Sequence, residues 1–413
     1  MRITAGLVCL GLLAADHGAV LRARRDELRK ALPGCAVVLE GGSEPESGDL
    51  RGFFQEPNFA YLSGWAESNA ALLIDPEREV LFLPSRIPDQ DKWKGPRLSP
   101  VDPEAPAKTG FGQVMALEVL EREIRSSLER APKLCGLSKT QTEQRLKALA
   151  PMRDVSDARP ALARLRMKKS PEEVARIRHA TDVTIRAHRA AWKRLRAGLF
   201  EYQLAATLTA QYLEAGCERT AFMPIIGSGS NGVLLHHSRA RRRIDQGELV
   251  VIDSGAECGG YASDVARTVP VGGRFSKRQR EIYDVVLGAH RAVLAALKPG
   301  ATLGRTSANS LYRIALDYID SHGSDREGRP LGRYFAHGIG HHVGLDVHDA
   351  EDPAAPLEPG MVITVEPGVY LPDEKLGVRI EDVVLVTQRG AEVMSAALPV
   401  DSQAIERALA RLP

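Results

Sequence analysis

The sequence predicts an α+β protein of two domains, a smaller N-terminal α/β domain and a larger C-terminal domain that repeats itself. Three observations predict it. Short apolar strands alternate with helical patterns over about residues 17–155. A helix-start signal, Ser170-Pro171-Glu172-Glu173, opens a second region near residue 165. That region then runs helices, strand pair, helices, strand pair. The 413 residues suit two or three domains of ~100–200 residues. The expected division is an open start at 1–15, a first domain at 16–160 and a second at 165–413.

Composition sets the class. Hydrophobic residues are 44% and charged residues 26% of the chain; this excludes disorder, collagen and coiled coil. Lys and Arg number 55 against 53 Asp and Glu, a net charge of +2, so no global field draws nucleic acid or an anionic membrane. Cys9, Cys35, Cys135, Cys217 and Cys258 are scattered and form no C-x-x-C pair. That spacing excludes a zinc ribbon, a thioredoxin-type site and a dense disulfide framework, and the cysteines read as bystanders. Ile3 to Ala15 carries no charge. It is short of the ~20 apolar residues of a membrane span, so stable membrane insertion is not expected. It reads as the apolar core of a signal peptide, with a buried N-terminal helix or strand as the alternative. Export to the periplasm or medium is the expectation; without cleavage the protein would be cytoplasmic.

In the first domain, Ala19–Leu32 reads as an amphipathic helix stopped by Pro33-Gly34. Ala36–Leu39, Ala71–Ile74 and Val80–Leu83 read as buried strands, and Ala116–Leu128 and Thr140–Leu149 as helices. The aromatic-rich stretch at residues 53–65, FFQEPNFAYLSGW, reads as a strand and turn. No acid, histidine or glycine cluster in this domain proposes chemistry by itself.

In the second domain, Ser170 is the expected N-cap, with Glu173 completing a capping box. Helical segments cover 171–195 and 201–215, then 278–297 and 306–321. After each helical pair, a glycine turn enters an apolar strand that ends in an acid: Gly247 to Asp253, and Gly360 to Glu366. Each acid is followed by a glycine-containing turn and a second strand bearing another acid, Asp264 or Glu381. Both strand pairs read as β-hairpins with their second acids inside the strand. The site is expected where the two halves meet.

Acids at the ends of apolar strands are costly unless they are paired or bound to a cation. A single such acid is best read as ending its strand in solvent. Four at matched positions in two repeats point to metal ions as the compensation. Between the hairpins lie His337, His341, His342 and His348 in HGIGHHVGLDVH, whose glycines argue for a strand or loop rather than a helix. One imidazole with four carboxylates is a hard ligand set, suited to Mn2+, Co2+ or Fe2+ and admitting Zn2+. It suffices for two ions with bridging acids, which can hold a hydroxide at neutral pH. The basic run Arg239–Arg243 follows His236-His237-Ser238. It reads as a solvated turn rather than a nucleic-acid site, because aromatics are only 5% of the chain.

Together the motifs VVIDSGAECGGYASDVARTVPV, HGIGHHVGLDVHD, ITVEPGVYLP and GVRIEDVVLVT resemble the pita-bread metallopeptidases, and within them the aminopeptidase P family. FFQEPNFAYLSGW and Trp93-Lys94-Gly95 resemble that family's creatinase-like N-terminal domain. The resemblance starts near residue 20. It implies that Asp253 is a terminal ligand of one metal and that Asp264 and Glu381 bridge two. His341 and Glu366 would hold the other, with Glu366 also moving protons. His236, His337 and His348 match substrate-contacting histidines, and Arg379 an arginine supporting the cluster. His237 and His342 have no such match and are expected to be structural; Gly340 and Gly344 fit a tight turn.

The activity implied is removal of the N-terminal residue from Xaa-Pro-Yaa peptides, with a metal-bridging hydroxide attacking the Xaa-Pro bond. Two divalent ions, Mn2+ first among them, are the implied cofactors. Peptides with proline second are the substrates, and a homo-oligomer, dimer or tetramer, the implied assembly. A prolidase, which cuts Xaa-Pro dipeptides, would use the same five ligands. A creatinase-like hydrolase without metal and a metal-free binding module are further readings; the complete ligand set argues against both. A methionine aminopeptidase is disfavoured by the large N-terminal domain.

Overall fold

In the computed structural model, residues 5–44, 53–352 and 354–410 are described. The first four residues of the expected export segment at 1–15 lie outside them. The chain divides into two compact units, Met1–Leu165 and Arg166–Pro413.

The first unit is built on a six-stranded mixed sheet in the order β4-β3-β2-β1-β5-β6. Its strands are β1 (Cys35–Glu40), β2 (Ala71–Ile74), β3 (Glu79–Leu83), β4 (Val114–Ala116), β5 (Lys133–Gly136) and β6 (Val155–Asp157). The apolar runs are central strands because β1 and β2 are buried on both faces. Around the sheet lie α1 (Ala5–Ala31), α2 (Pro57–Ser63), α3 (Pro88–Lys94), α4 (Ala105–Thr109), α5 (Leu120–Ser127) and α6 (Gln141–Leu149), followed by α7 (Arg159–Met167).

Two expectations are corrected here. The stretch at 53–65 contains a helix, not a strand. Glu56 caps it by accepting the Phe59 N–H at 2.6 Å, Pro57 takes the first helical position, and Gly64 ends it at φ 65°. Local capping outweighed the aromatic content that suggested a strand. The cysteines are not bystanders either. Cys35 is bonded to Cys135 across the parallel pair β1 and β5, and Cys217 to Cys258 in the second unit. Pairs separated by 100 and 41 residues leave no local spacing signal.

The second unit opens with α8 (Pro171–Arg194), whose Ser170–Glu173 capping box forms with both reciprocal bonds. Its buried face repeats at helical spacing through Ile177, Ala180, Thr184, Ala187 and Ala191. Then come α9 (Glu201–Glu214), β7 (Arg219–Thr220) and β8 (Ile225–Ser228). The first half-site is β9 (Leu249–Ser254), β10 (Ala256–Cys258), β11 (Tyr261–Ala262) and β12 (Val265–Pro270). Helices α10 (Lys277–Ala296) and α11 (Leu311–His322) lead to the second half-site. It is β13 (Val362–Val365), β14 (Gly368–Leu371), β15 (Leu376–Arg379) and β16 (Asp382–Thr387), and β17 (Gly390–Val393) and α12 (Ser402–Ala410) close the unit.

The expected hairpins are more elaborate than simple turns. β9 pairs antiparallel with β12, and β13 with β16, but each pair encloses a smaller hairpin, β10–β11 or β14–β15. The inserted hairpin interrupts the ladder at the same place in both halves. Asp264 and Glu381 therefore stand one residue before β12 and β16, at the break, rather than inside a strand. The physical reason is that the chain must leave the main ladder to make the inserted hairpin, and it rejoins at these acids. The halves are tied together there: Glu381 N–H donates to Ala266 O at 3.0 Å, and the buried Arg267 guanidinium donates to Glu381 O at 2.6 Å.

Candidate metal centre

Each functional side chain is delivered by the local ladder. Asp253 lies in β9, opposite Ala266 of β12. Glu366 is the first residue after β13. The histidine segment runs along the free edge of β13: Val343 N–H donates to Val362 O at 3.0 Å, Thr364 N–H to His341 O at 2.9 Å and Glu366 N–H to Ile339 O at 2.9 Å. This edge contact places His341 beside the acids. Gly340 permits it, since a Cβ there would sit 2.0 Å from Thr364 O. Gly344 likewise meets the Asp349 carboxylate, where a Cβ would be 2.2 Å from Oδ2. Close approach, not the tight turn expected, is why these positions are glycine.

Asp264, His341 and Glu381 each offer a ligand atom within 4.8 Å of the others. His341 Nε2 is 3.4 Å from Asp264 Oδ2 and 3.7 Å from Glu366 Oε1. Its Nδ1 bonds the His342 carbonyl at 3.0 Å, which leaves Nε2 for the acids. Asp253 is held from behind by Arg379 Nη1. Arg379 also donates through Nε to the Tyr370 hydroxyl at 2.8 Å and through Nη2 to Leu235 O at 3.1 Å. The Tyr370 hydroxyl bonds His337 Nε2 at 2.8 Å, and His337 Nδ1 lies 2.8 Å from Gly338 O and 3.6 Å from Glu366 Oε2. We assign the His337 proton to Nδ1, since Tyr370 donates to Nε2. His348 stacks on His341 with centroids 3.8 Å apart. His236 is exposed. His237 and His342 are buried and structural in setting: His237 Nε2 lies 3.1 Å from Glu201 Oε2, and His342 bridges to Ile363.

The electrostatics follow from four acids sharing a largely buried site. Burial and the Asp253 charge push Asp264 up to about 8. Burial and the charges of Asp264 and Glu366 push Glu381 well above the usual carboxylate range, and burial raises Glu366 too. Burial alone would lower His341, but the hydrogen bond to Asp264 and the Glu366 charge carry it up to about 9. Burial and the Arg379 charge hold His337 down at about 3, so its imidazole is neutral. Burial and the His341 charge hold His348 down at about 4.

Three buried oxygens, Asp253 Oδ1, Asp264 Oδ1 and Glu381 Oε1, have no hydrogen-bond partner among the described residues. Leaving such atoms unpaired is expensive, and they belong to the same cluster. A cation at this point would satisfy all three, and four carboxylates with one imidazole form a hard donor set. The residues present therefore fit divalent metal.

Several supporting residues carried no sequence signal. Tyr370 lies inside a recognised motif, but nothing local marks it as the link between His337 and Arg379. Glu201 is fully buried and gathers Ser228, Asn231, His237 and Arg242, which frame the segment carrying His236. Arg166 and Lys169 clamp buried Asp349, next to His348. The basic run is only partly a solvated turn, because Arg242 pairs with Glu248 and Asp245.

A two-half sheet scaffold presenting this donor set defines a metallopeptidase. The chain belongs to metallopeptidase family M24, whose model matches residues 175–388, and to its aminopeptidase P group, with the aminopeptidase P N-terminal domain matching residues 21–135. Family membership implies divalent metal ions. The chain is 31% identical to the Xaa-Pro aminopeptidase of Escherichia coli, covering 93% of this chain and 96% of that one. It is 40% identical to the Xaa-Pro dipeptidase of Pyrococcus furiosus over 55% of this chain and 63% of that protein. The solved structure of Pseudomonas aeruginosa aminopeptidase PepP superposes with a TM-score of 0.87 at 28% identity, covering 96% of this chain and 98% of the other.

Proposed function

We propose that the protein is a dinuclear-metal aminopeptidase that removes the residue preceding proline from the N-terminus of Xaa-Pro-Yaa peptides. The convergence of Asp253, Asp264, His341, Glu366 and Glu381, with three unpartnered oxygens, carries the reading. These five would hold two divalent ions, Mn2+ in first place on the hardness of the donors. When bound, the ions supply a water of lowered pKa and Lewis acidity at the scissile carbonyl.

The chain's own residues do the rest. Glu366, with its raised pKa and its carboxylate near His337 and His341, takes a proton and delivers it to the proline nitrogen. Cleavage needs that delivery because the nitrogen of an Xaa-Pro bond bears no hydrogen and must leave as an amine. His348, stacked on His341, is placed to hydrogen-bond around the carbonyl, while neutral His337, whose ring nitrogens are engaged by Gly338 O and the Tyr370 hydroxyl, stands fixed beside Glu366. Arg379 balances the charge of Asp253 and keeps that carboxylate in place. His236 contributes from the segment that Glu201 braces.

The match of residues 21–135 to the aminopeptidase P N-terminal domain favours this reading over a dipeptidase. The test is turnover of an Xaa-Pro dipeptide and an Xaa-Pro-Yaa tripeptide by the metal-reconstituted protein. Tripeptide turnover, abolished in Asp264→Ala and Glu366→Ala, is expected. Turnover of the dipeptide alone would make it a prolidase. An inactive protein free of metal by elemental analysis would point to a metal-free hydrolase or binding module.

We also propose export and a homo-oligomeric state. The two disulfides support export, since such bonds persist in oxidising compartments. Mass spectrometry of the native N-terminus and light scattering check these two points.

A further inference from the structure

Arginines of the second unit commonly face carboxylates: Arg242 meets Glu248, Arg267 meets Asp382, Arg278 meets Glu374 and Arg280 meets Glu406. Arg305 does not. It is exposed, on the connection between α10 and α11, and no carboxylate pairs with it among the described residues. Its guanidinium instead lies over the Tyr312 ring, 4.7 Å from the centroid. Tyr312 stacks on Phe335 at 5.1 Å, and Phe335 meets His337 edge-on at 5.3 Å. Two rings, Tyr312 and Phe335, thus connect Arg305 to the histidine beside Glu366. Its charge reaches that histidine, adding to the burial and the Arg379 charge that keep His337 neutral.

A guanidinium held over an aromatic ring can still turn its N–H edge outward, and that edge matches a carboxylate in bidentate fashion. The direction along the substrate follows from charge. The peptide's free amino terminus is a cation and would be repelled by Arg305. Glu366 serves the leaving proline nitrogen, and His337 stands beside it on the way to Arg305. We propose that Arg305 is a specificity-determining residue that reads a carboxylate carried by the peptide on the proline side of the scissile bond. This rests on the proposed aminopeptidase activity. The carboxylate could belong to the chain terminus or to an acidic side chain, and the chemistry of recognition is the same.

Three peptides separate the sources: Xaa-Pro-Ala amide, Xaa-Pro-Ala with a free terminus, and Xaa-Pro-Glu amide. Each is assayed with the metal-loaded wild type, Arg305→Met and Arg305→Lys. Loss of the guanidinium should raise KM about tenfold for a carboxylate-bearing peptide, with kcat unchanged. The neutral amide should be unaffected, and Arg305→Lys should recover part of the loss. An effect on the free terminus alone, or on the glutamyl amide alone, names the carboxylate read. Equal effects on charged and neutral peptides, or none, overturn the inference. Wild type that cleaves these peptides without the charge effect sinks only this inference; wild type that cleaves none sinks the proposed function with it.

Discussion

Metal loading of the metal-free protein should release protons, and the number can be worked from the site. Asp264 is pushed up to about 8 and His341 to about 9. The two groups titrate as a pair, His341 Nε2 lying 3.4 Å from Asp264 Oδ2, and at pH 7 the pair holds at least one proton. Glu381, raised well above its ordinary value, adds a further share. Ligation requires a bare carboxylate and a free imidazole nitrogen, so filling the site should expel at least about one proton per chain, with Glu381 adding to it. Affinity should rise about tenfold per pH unit for each proton that leaves. Isothermal calorimetry in two buffers of different ionisation enthalpy reads the number directly. A release near zero at pH 7 would refute the assignment of these groups as ligands. The same shifts set a stability window. Folded Asp264 keeps its proton up to about 8, against an ordinary 3.8, and folded His341 up to about 9, against 6.5. Between pH 7 and 9 the folded, metal-free state therefore binds more protons than the unfolded chain. Its stability should fall as pH rises, by up to about 1.4 kcal/mol per proton per pH unit. Buried His188 and His337, both held down at about 3, act in the opposite direction only below about pH 6.5.

Three further outcomes are expected. Tyr370→Phe removes the hydroxyl between Arg379 Nε and His337 Nε2; kcat should fall roughly tenfold to a hundredfold with metal content unchanged, as read by steady-state kinetics and elemental analysis. Gly255→Ala would set a Cβ 1.6 Å from Ser263 O; forcing the segments that carry Asp253 and Asp264 apart should cost more than about 3 kcal/mol, visible as a lower melting temperature and loss of bound metal. Reduction of the disulfides, which close separations of 100 and 41 residues, should lower stability by about 4–5 kcal/mol and about 4 kcal/mol respectively, and an unchanged melting curve under reductant with free thiols present would contradict their structural role.

Much of the scaffold was legible along the chain because the signals are local. The capping box at Ser170 and Glu173, the apolar strands and the helical periods each depend on neighbours within a few residues. The failures have two causes, a local conflict of signals and contacts between remote positions. The helix at Pro57–Ser63 was decided by capping at both ends against an aromatic strand-like composition. The inserted hairpins that displace Asp264 and Glu381 to strand breaks depend on pairings with distant strands. The disulfides are likewise contacts between remote positions.

Sequence alone determined the two-part plan, the repeated pattern of acids and the identity of the family, because motif order and hydrophobic period are properties of the chain. The tertiary structure decided what those acids share. It brings Asp264, His341 and Glu381 into ligand range, leaves three buried oxygens without partners, and runs Arg379 through Tyr370 to His337. Burial and mutual repulsion then set their protonation. These depend on distances between residues far apart in the chain, and those distances exist only once the two halves have closed on one another.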